Sequence, residues 1–355
     1  MATAYINRIA TAVPANDVHD AFVRFARTLL DTRRRALFDR MADRAQIRQR
    51  WSCLAPAARP DGPSVDDQGF FTRGRFPSTA DRMRRYEEAA PALAVRAVEK
   101  LRLGAEAARI THVIVTTCTG FSAPGLDLEL VRRCGVPTTA ERTVVGFMGC
   151  YAAINALKLA RHIVRSEPKA RVLILSLELC TLHLQETSDL EQVLSFLVFG
   201  DGCAAALVTA EPKGFALDRF HAVLVPDTNE LITWRIRELG FDMFLSGKVP
   251  AAIGVGLRAK AAEILDDTSV GEIDLWAVHP GGRSVLDAVE GALELAPKAL
   301  EASRDVLLHY GNMSSATVLF VLERLMRTAK AGARGCGMAF GPGLTAETML
   351  FQAVG

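Results

Sequence analysis

Three short segments hold side chains that could act together on a bound substrate. In VVGFMGCYAAINALKLA, Cys150 follows an apolar run and stands at the start of an apolar helical pattern. A helix N-terminus offers unpaired N–H groups and partial positive charge. Both favour thiolate over thiol, so the spacing predicts a nucleophilic Cys150 with a pKa below the usual ~8.5. Gly146 and Gly149 allow the sharp turn that would present the sulfur. In WAVHPGGRSVLDAVE, His279 closes an apolar strand and is followed by Pro280, Gly281 and Gly282. A histidine at the end of a strand, facing a glycine-rich turn, can reach a cleft. In HYGNMSSATVLFVLE, Asn312 stands just ahead of an apolar helical pattern, beside Ser314 and Ser315. Each residue also has a plain structural reading: a buried cysteine, a core histidine and a helix N-cap. Six other histidines (His19, His112, His162, His183, His221 and His309) share the chain, and spacing alone does not select His279.

The elements that must position these groups follow from patterning. Residues 17–50 read as helical and rich in arginine, and 54–79 as an irregular connection rich in Pro, Gly, Asp and Ser. A helix is expected over 80–103, with apolar residues at helical spacing. Short β-branched runs then alternate with helical patterns: strands at 112–118, 142–147, 171–179 and 202–210, with a helix opening at Cys150. The second half repeats the theme. A strand at 274–280 ends on His279, helices follow at 284–295, 298–308 and 314–329, and two strands close the chain around Gly341, Pro342 and Gly343. Such alternation predicts α/β layers with sheets buried on both faces. The EPKG turn marks a division into residues 1–220, carrying the cysteine, and 221–355, carrying the histidine and asparagine.

Composition narrows the function. The chain has 355 residues, half of them hydrophobic, and a formal net charge of +2. That suits a globular protein with a large core and gives no sign of nucleic acid or an anionic membrane as partner. The seven cysteines are scattered and form no C-x-x-C pair, so neither a disulfide framework nor a zinc site is expected, and a reducing compartment is the natural home. No signal-peptide pattern opens the sequence, and no apolar run approaches the ~18 residues of a membrane span. A cytoplasmic protein without metal is expected.

Six segments, in order along nearly the whole chain, resemble the chalcone and stilbene synthase family, the type III polyketide synthases. They are CTGFSAPGLDLEL, GFMGCYAAINALKLA, FGDGCAAAL, WAVHPGGRSVLDAVE, YGNMSS and MAFGPGLTAET. The resemblance implies a thiolase-like duplicated αβαβα fold, a homodimer, and acyl-CoA and malonyl-CoA as substrates with no metal or redox cofactor. Cys150 would carry the acyl group as a thioester. His279 would hold the thiolate, and His279 and Asn312 would stabilise the charge that develops as malonyl-CoA loses carbon dioxide. Phe199 matches a gatekeeping position, with a core aromatic as its plain alternative. Ser314 lies in a matching block, and Gly341, Pro342 and Gly343 match a loop that shapes the cavity. Arg40 and Arg44 match positions that hold coenzyme A phosphates, although they sit on an arginine-dense helix that could be a solvated face, and a third basic position is Leu37 here.

The departures carry information. Met243 replaces a second gatekeeping Phe, Cys118, Cys180 and His183 replace cavity threonines, Trp234 replaces a glycine, and Ala123 replaces a methionine that plant enzymes extend across the dimer. These changes resemble bacterial members that take fatty acyl starters and make alkylpyrones or alkylresorcinols. Three rivals share the fold. One is a ketoacyl-ACP synthase III-like enzyme performing one condensation. The second is a hydroxymethylglutaryl-CoA synthase, which needs a catalytic Glu that no motif supplies. The third is a non-catalytic acyl-CoA-binding protein, which would have lost one of the three residues.

Overall fold

The structure is a computed structural model that describes residues 2–355. Strand β1 (Tyr5–Ala12) leads through β2 (Asn16–Asp17) to helices α1 (His19–Leu29) and α2 (Thr32–Ala45), and β3 (Trp51–Ser52) pairs back with β2. The arginine-rich stretch is therefore two helices. It breaks at Leu30, and Asp31 caps α2 by accepting from the Arg34 N–H at 2.8 Å. Helix α3 (Thr79–Lys100) opens on a reciprocal capping box between Ser78 and Asp81. Strand and helix then alternate: β4 (His112–Thr117), α4 (Leu126–Arg133), β5 (Glu141–Gly146), α5 (Ala152–Ser166), β6 (Val172–Leu179), α6 (Leu190–Val198) and β7 (Asp201–Thr209). The second half begins with β8 (Gly214–Leu224), the hairpin β9 (Ile232–Arg237) and β10 (Gly240–Leu245), and α7 (Val249–Leu265). It continues with β11 (Leu275–Val278), α8 (Arg283–Ala292), α9 (Glu301–Tyr310), α10 (Thr317–Thr328), β12 (Arg334–Gly341) and β13 (Thr345–Val354).

Nine strands run in the order β11-β12-β13-β8-β1-β7-β6-β4-β5. Outward from the centre, the first half goes first, fifth, fourth, second and third strand. The second half goes first, last, next to last and second, the same path without its outermost strand. The halves meet where β1 pairs antiparallel with β8, at Tyr5 opposite Ala216 and Ile6 opposite Phe215.

Alternate residues of one strand serve different layers. On β6, Leu173, Leu175 and Leu177 face a core with α1 and α3, while Val172 and Ile174 face a core with α5 and α10. On β11, Trp276 and Val278 face a third core built on α7 and α8, and Ala277 faces the middle one. Outer helices, one half of the continuous sheet, central helices α5 and α10, the other half of the sheet and outer helices make the expected five layers of the thiolase-like fold. Sequence patterning assigns no strand to the hairpin β9–β10, because its exposed positions leave little period-two contrast.

Candidate active site

The central helices begin alike. A one-turn 3-10 segment, Gly149–Tyr151, precedes α5, and another, Ser314–Ala316, precedes α10. Cys150 is thus in the turn ahead of α5 and not in its first turn. That turn is tightly constrained. Phe147 has φ 58° and Gly149 φ 72°, both left-handed. A Cβ on Gly149 would lie 2.3 Å from Pro342 Cδ, so only glycine fits there. Gly341 packs on Tyr151 in the same way, where a Cβ would approach to 2.7 Å.

The facing turn supplies the nearest polar groups. Cys150 Sγ lies 3.8 Å from Ser314 Oγ, and Ser314 also has a left-handed backbone, with φ 46°. Asn312 Oδ1 accepts from the Ser314 N–H at 2.8 Å, and its Nδ2 donates to the Gly281 carbonyl at 3.3 Å. The amide orientation follows from these two bonds. Cys150, His279 and Asn312 border one cavity, together with Phe199, Met243, Ile232 and Phe340.

Electrostatics depart from the sequence expectation. Burial pushes the Cys150 thiol up to about 12, and hydrogen bonds from Ser314 and Asn312 offset only part of that. Burial likewise pushes His279 down to about 3. A helix terminus favours charge locally, but here desolvation of the sulfur outweighs it. Taken singly, thiol and imidazole are both neutral at pH 7. Neither ring nitrogen of His279 has a hydrogen-bond partner among the described residues. A buried histidine with both nitrogens free is uncommon and points to a ligand.

Models of two domains of the chalcone and stilbene synthases cover the chain, the N-terminal one over residues 3–212 and the C-terminal one over 217–355. The chain belongs to this family, the type III polyketide synthases. One relative is the alpha-pyrone synthesis polyketide synthase-like Pks18 of Mycobacterium tuberculosis, 34% identical over 99% of this chain and 91% of its own length. The same protein of Mycobacterium bovis matches equally. Among solved structures, PKS-I of the brown alga Ectocarpus siliculosus is 28% identical, with a TM-score of 0.85 over 100% of this chain and 99% of its own. The C-terminal type III domain of Steely1, a hybrid synthase from Dictyostelium, has a TM-score of 0.89 at 24% identity, covering 99% and 100%. The protein is therefore an acyltransferase of a family that uses acyl-CoA and malonyl-CoA.

In this type III synthase a second cavity adjoins Cys150, bordered by Cys118, Cys180, His183, Trp234, Met243 and Ser314, with Phe196, Phe199, Ile232 and Pro342 also on its wall. His183 is a satisfied ring. Its Nδ1 accepts from the Phe241 N–H at 3.0 Å, its Nε2 donates to the Thr119 carbonyl at 2.7 Å, and it stacks on Phe241 at 4.2 Å. Trp234 Nε1 donates to the Cys118 carbonyl at 2.7 Å. Cys118 Sγ accepts from the Gly149 N–H at 3.1 Å, bracing the nucleophile turn. Phe199 and Asn312 are joined through their backbones: Asn312 N–H donates to Val198 O at 2.7 Å, and Gly200 N–H to Asn312 O at 2.9 Å. Gly343 has φ 70° and accepts from Thr228 at 3.3 Å.

Arg40 and Arg44 are exposed on α2 and border none of the cavities around Cys150. The Arg44 carbonyl accepts from Arg283 at 3.2 Å, placing that end of α2 beside the turn after His279. Sequence reasoning missed Glu178, whose signal was a lone acid inside the apolar run LILSLEL. Glu178 is fully buried on β6. It accepts from Ser315 Oγ at 2.5 Å, the Cys118 N–H at 2.9 Å and Thr119 Oγ1 at 2.7 Å, and burial lifts it to about 7. It also missed Ile232, Phe196 and Arg50. Among the described residues no cluster of three or more His, Cys, Asp or Glu could hold a metal ion, and no helix is long and apolar enough to cross a membrane.

Proposed function

We propose that Cys150, His279 and Asn312 form the reaction centre for repeated condensation of malonyl-CoA onto an aliphatic acyl starter, with closure of the product to an α-pyrone. The carrying observation is one buried cavity bordered by all three, in which both His279 nitrogens lack partners. As the starter thioester enters, His279 takes the Cys150 proton and the sulfur attacks the carbonyl. Coenzyme A leaves as a thiol, taking the proton back, and the acyl group stays on Cys150. Malonyl-CoA then binds with its thioester oxygen toward His279 and the Asn312 amide. Loss of carbon dioxide leaves an enolate whose oxygen these donors stabilise. The enolate carbon attacks the acyl carbonyl and the new carbon–carbon bond displaces the Cys150 thiolate, leaving the extended chain as a coenzyme A thioester. Cys150 then attacks that thioester, coenzyme A leaves as the thiol, and the chain is again on Cys150 for another round. These steps use only groups of this chain and the two substrates, so no metal or redox cofactor enters.

The aliphatic starter is supported by the lining of the second cavity. Cys118, Cys180, Ile232 and Met243 offer apolar, adaptable surface, and Pks18 is named for α-pyrone synthesis. In this reading Phe199 and Met243 gate the cavity, and Arg40 and Arg44 hold coenzyme A phosphates at its approach. The chain works as two halves, the first carrying the nucleophile and the second the donors; the division expected at residue 220 moves to the start of β8 at Gly214 so that this strand stays whole. A homodimer is supported by the edge strand β5, whose outer side is unpaired and whose Val144 is 50% exposed, beside exposed Phe121 and Met148. The scattered free cysteines support a cytoplasmic site.

The test is a panel of acyl-CoA starters with malonyl-CoA, read by mass spectrometry. Alkyl α-pyrones are expected, and none from Cys150→Ala. Asn312→Ala should lower the malonyl-CoA decarboxylation rate by about 10²–10³. A higher kcat/KM for p-coumaroyl-CoA than for long-chain acyl-CoA would overturn the aliphatic reading.

A further inference from the structure

A third cavity lies on the far side of the wall that bounds the reaction cavities. It shares Cys180, Phe196 and Phe199 with the space beside Cys150, and extends toward α1 and the irregular segment after β3. Its far wall includes Ala21 and Phe22 on α1, Leu54 and Ala55 on that segment, and Leu184. Its interior volume is about 60 Å³, against about 30 Å³ for the cavity beside Cys150. Its oxygen-bearing side chains are already engaged. The Asp66 carboxylate accepts from the N–H groups of Gln68, Phe70 and Phe71, and Ser52 and Thr181 bond each other at 2.8 Å. Arg50 Nη2 alone lacks a partner among the described residues that line it. The chamber therefore offers mostly apolar surface, with the Arg50 guanidinium edge as its one unengaged polar group among the described residues.

The dividing wall is held in a particular way. Arg50 is buried and lies over the Phe22 ring, 4.7 Å from its centroid. Its Nη1 donates to the carbonyls of Phe196 at 3.0 Å and Phe199 at 2.5 Å, and its Nε to His19 Nδ1 at 3.1 Å. These carbonyls lie at the C-terminal end of α6, where a cation satisfies acceptors that the helix cannot. Arg50 thus fixes the backbone of the wall and leaves the Phe196 and Phe199 rings as its movable part.

We propose that this rear chamber takes the methyl end of the acyl chain carried on Cys150, entered past Cys180 between the Phe196 and Phe199 rings. This rests on the aliphatic-starter reading above. Each methylene that reaches apolar surface should raise kcat/KM about fourfold, so the chamber makes chain length a selected property, and Ala21 and Ala55 set its depth. Arg50 is a positioning residue for the wall.

Two measurements test this. The first uses the wild-type protein and a dodecanoyl-CoA analogue with a terminal diazirine, photolysed in the presence of malonyl-CoA. Cross-links on residues 18–22 or 54–56 are expected, and cross-links confined to other segments overturn the assignment. Product is read in the same tube, so product with labels elsewhere sinks the chamber alone, while labels at α1 without product sink the polyketide reading alone. The second fills the chamber from two walls with Ala21→Phe and Ala55→Phe. The ratio of kcat/KM for dodecanoyl-CoA over butanoyl-CoA should fall at least tenfold in each folded variant. An unchanged ratio in either one refutes the proposal.

Discussion

Removing the imidazole of His279 should silence the Cys150 sulfur, and the structure sets how far. With burial pushing the thiol up to about 12, five pH units separate it from neutrality, so about one molecule in 10⁵ is ionised at pH 7 without a base. An ordinary thiol at ~8.5 is ionised in about one in 30. Unassisted Cys150 therefore holds about 3,000-fold less thiolate than a free thiol at pH 7, a deficit that its greater intrinsic nucleophilicity offsets only in part. His279 borders the same cavity with both nitrogens unengaged. Burial alone holds the imidazole at about 3 and so neutral at pH 7; a thiolate forming in the same cavity favours its protonated form, and general-base assistance is worth about 10²–10⁴. The assay is iodoacetamide alkylation at pH 7, followed peptide by peptide, with glutathione in the tube as reference. Wild-type Cys150 is expected to alkylate at least about 100-fold faster than Cys150 in His279→Ala. Deleting the ring opens the cavity, so a slower reaction cannot come from blocked access. Equal rates in the two proteins would refute the proton transfer, and a fast His279→Ala thiol would refute the burial argument.

Two further outcomes follow from particular contacts. Gly149→Ala forces a Cβ to 2.3 Å from Pro342 Cδ at φ 72°, so it should cost at least ~2 kcal/mol in urea unfolding. Adding Pro342→Ala removes the clashing atoms and should recover part of that loss, and strictly additive losses would exclude the contact. Glu178 has a folded pKa of about 7 against 4.5 unfolded, a raised value. Its contribution to stability is therefore fully present below about pH 4.5 and is lost as pH rises through 7, a swing of about 3 kcal/mol. The difference in unfolding free energy between wild type and Glu178→Gln should shrink by that amount from pH 4.5 to 8. The comparison isolates Glu178, because buried His183 and His279 act in the opposite direction in both proteins. Parallel curves would show that the carboxyl does not titrate there.

The alternation of apolar strands and helices, and the motifs at Cys150, His279 and Asn312, were legible because buried parallel strands read as continuous β-branched runs and because glycines mark the turns. The convergence of those three residues on one cavity was expected from family blocks, since residues 150, 279 and 312 lie in different halves and no local pattern relates them. The sign of the Cys150 shift was misread. A sequence shows the helix start but not the depth of burial, and burial decided the balance. Arg50 gave no signal, because its role depends on carbonyls about 150 residues away in the chain. The hairpin carrying Trp234 and Met243 was equally silent, with its outer residues in solvent and its inner ones packed on a cavity.

The two 3-10 turns ahead of α5 and α10 are counterparts in the duplicated plan, and they meet nose to nose, with Cys150 Sγ 3.8 Å from Ser314 Oγ. A second thiol in place of the Ser314 hydroxyl would be a handicap at such a meeting point. A thiolate on each side would repel by about 4 kcal/mol at an effective dielectric constant of 20, and neither could lose its proton easily while the other was charged. A hydroxyl opposite the sulfur ends that competition and leaves one acyl acceptor where the architecture has room for two. Divergence between the copies, at the few positions that touch across the axis, is what lets a doubled scaffold carry a single reaction.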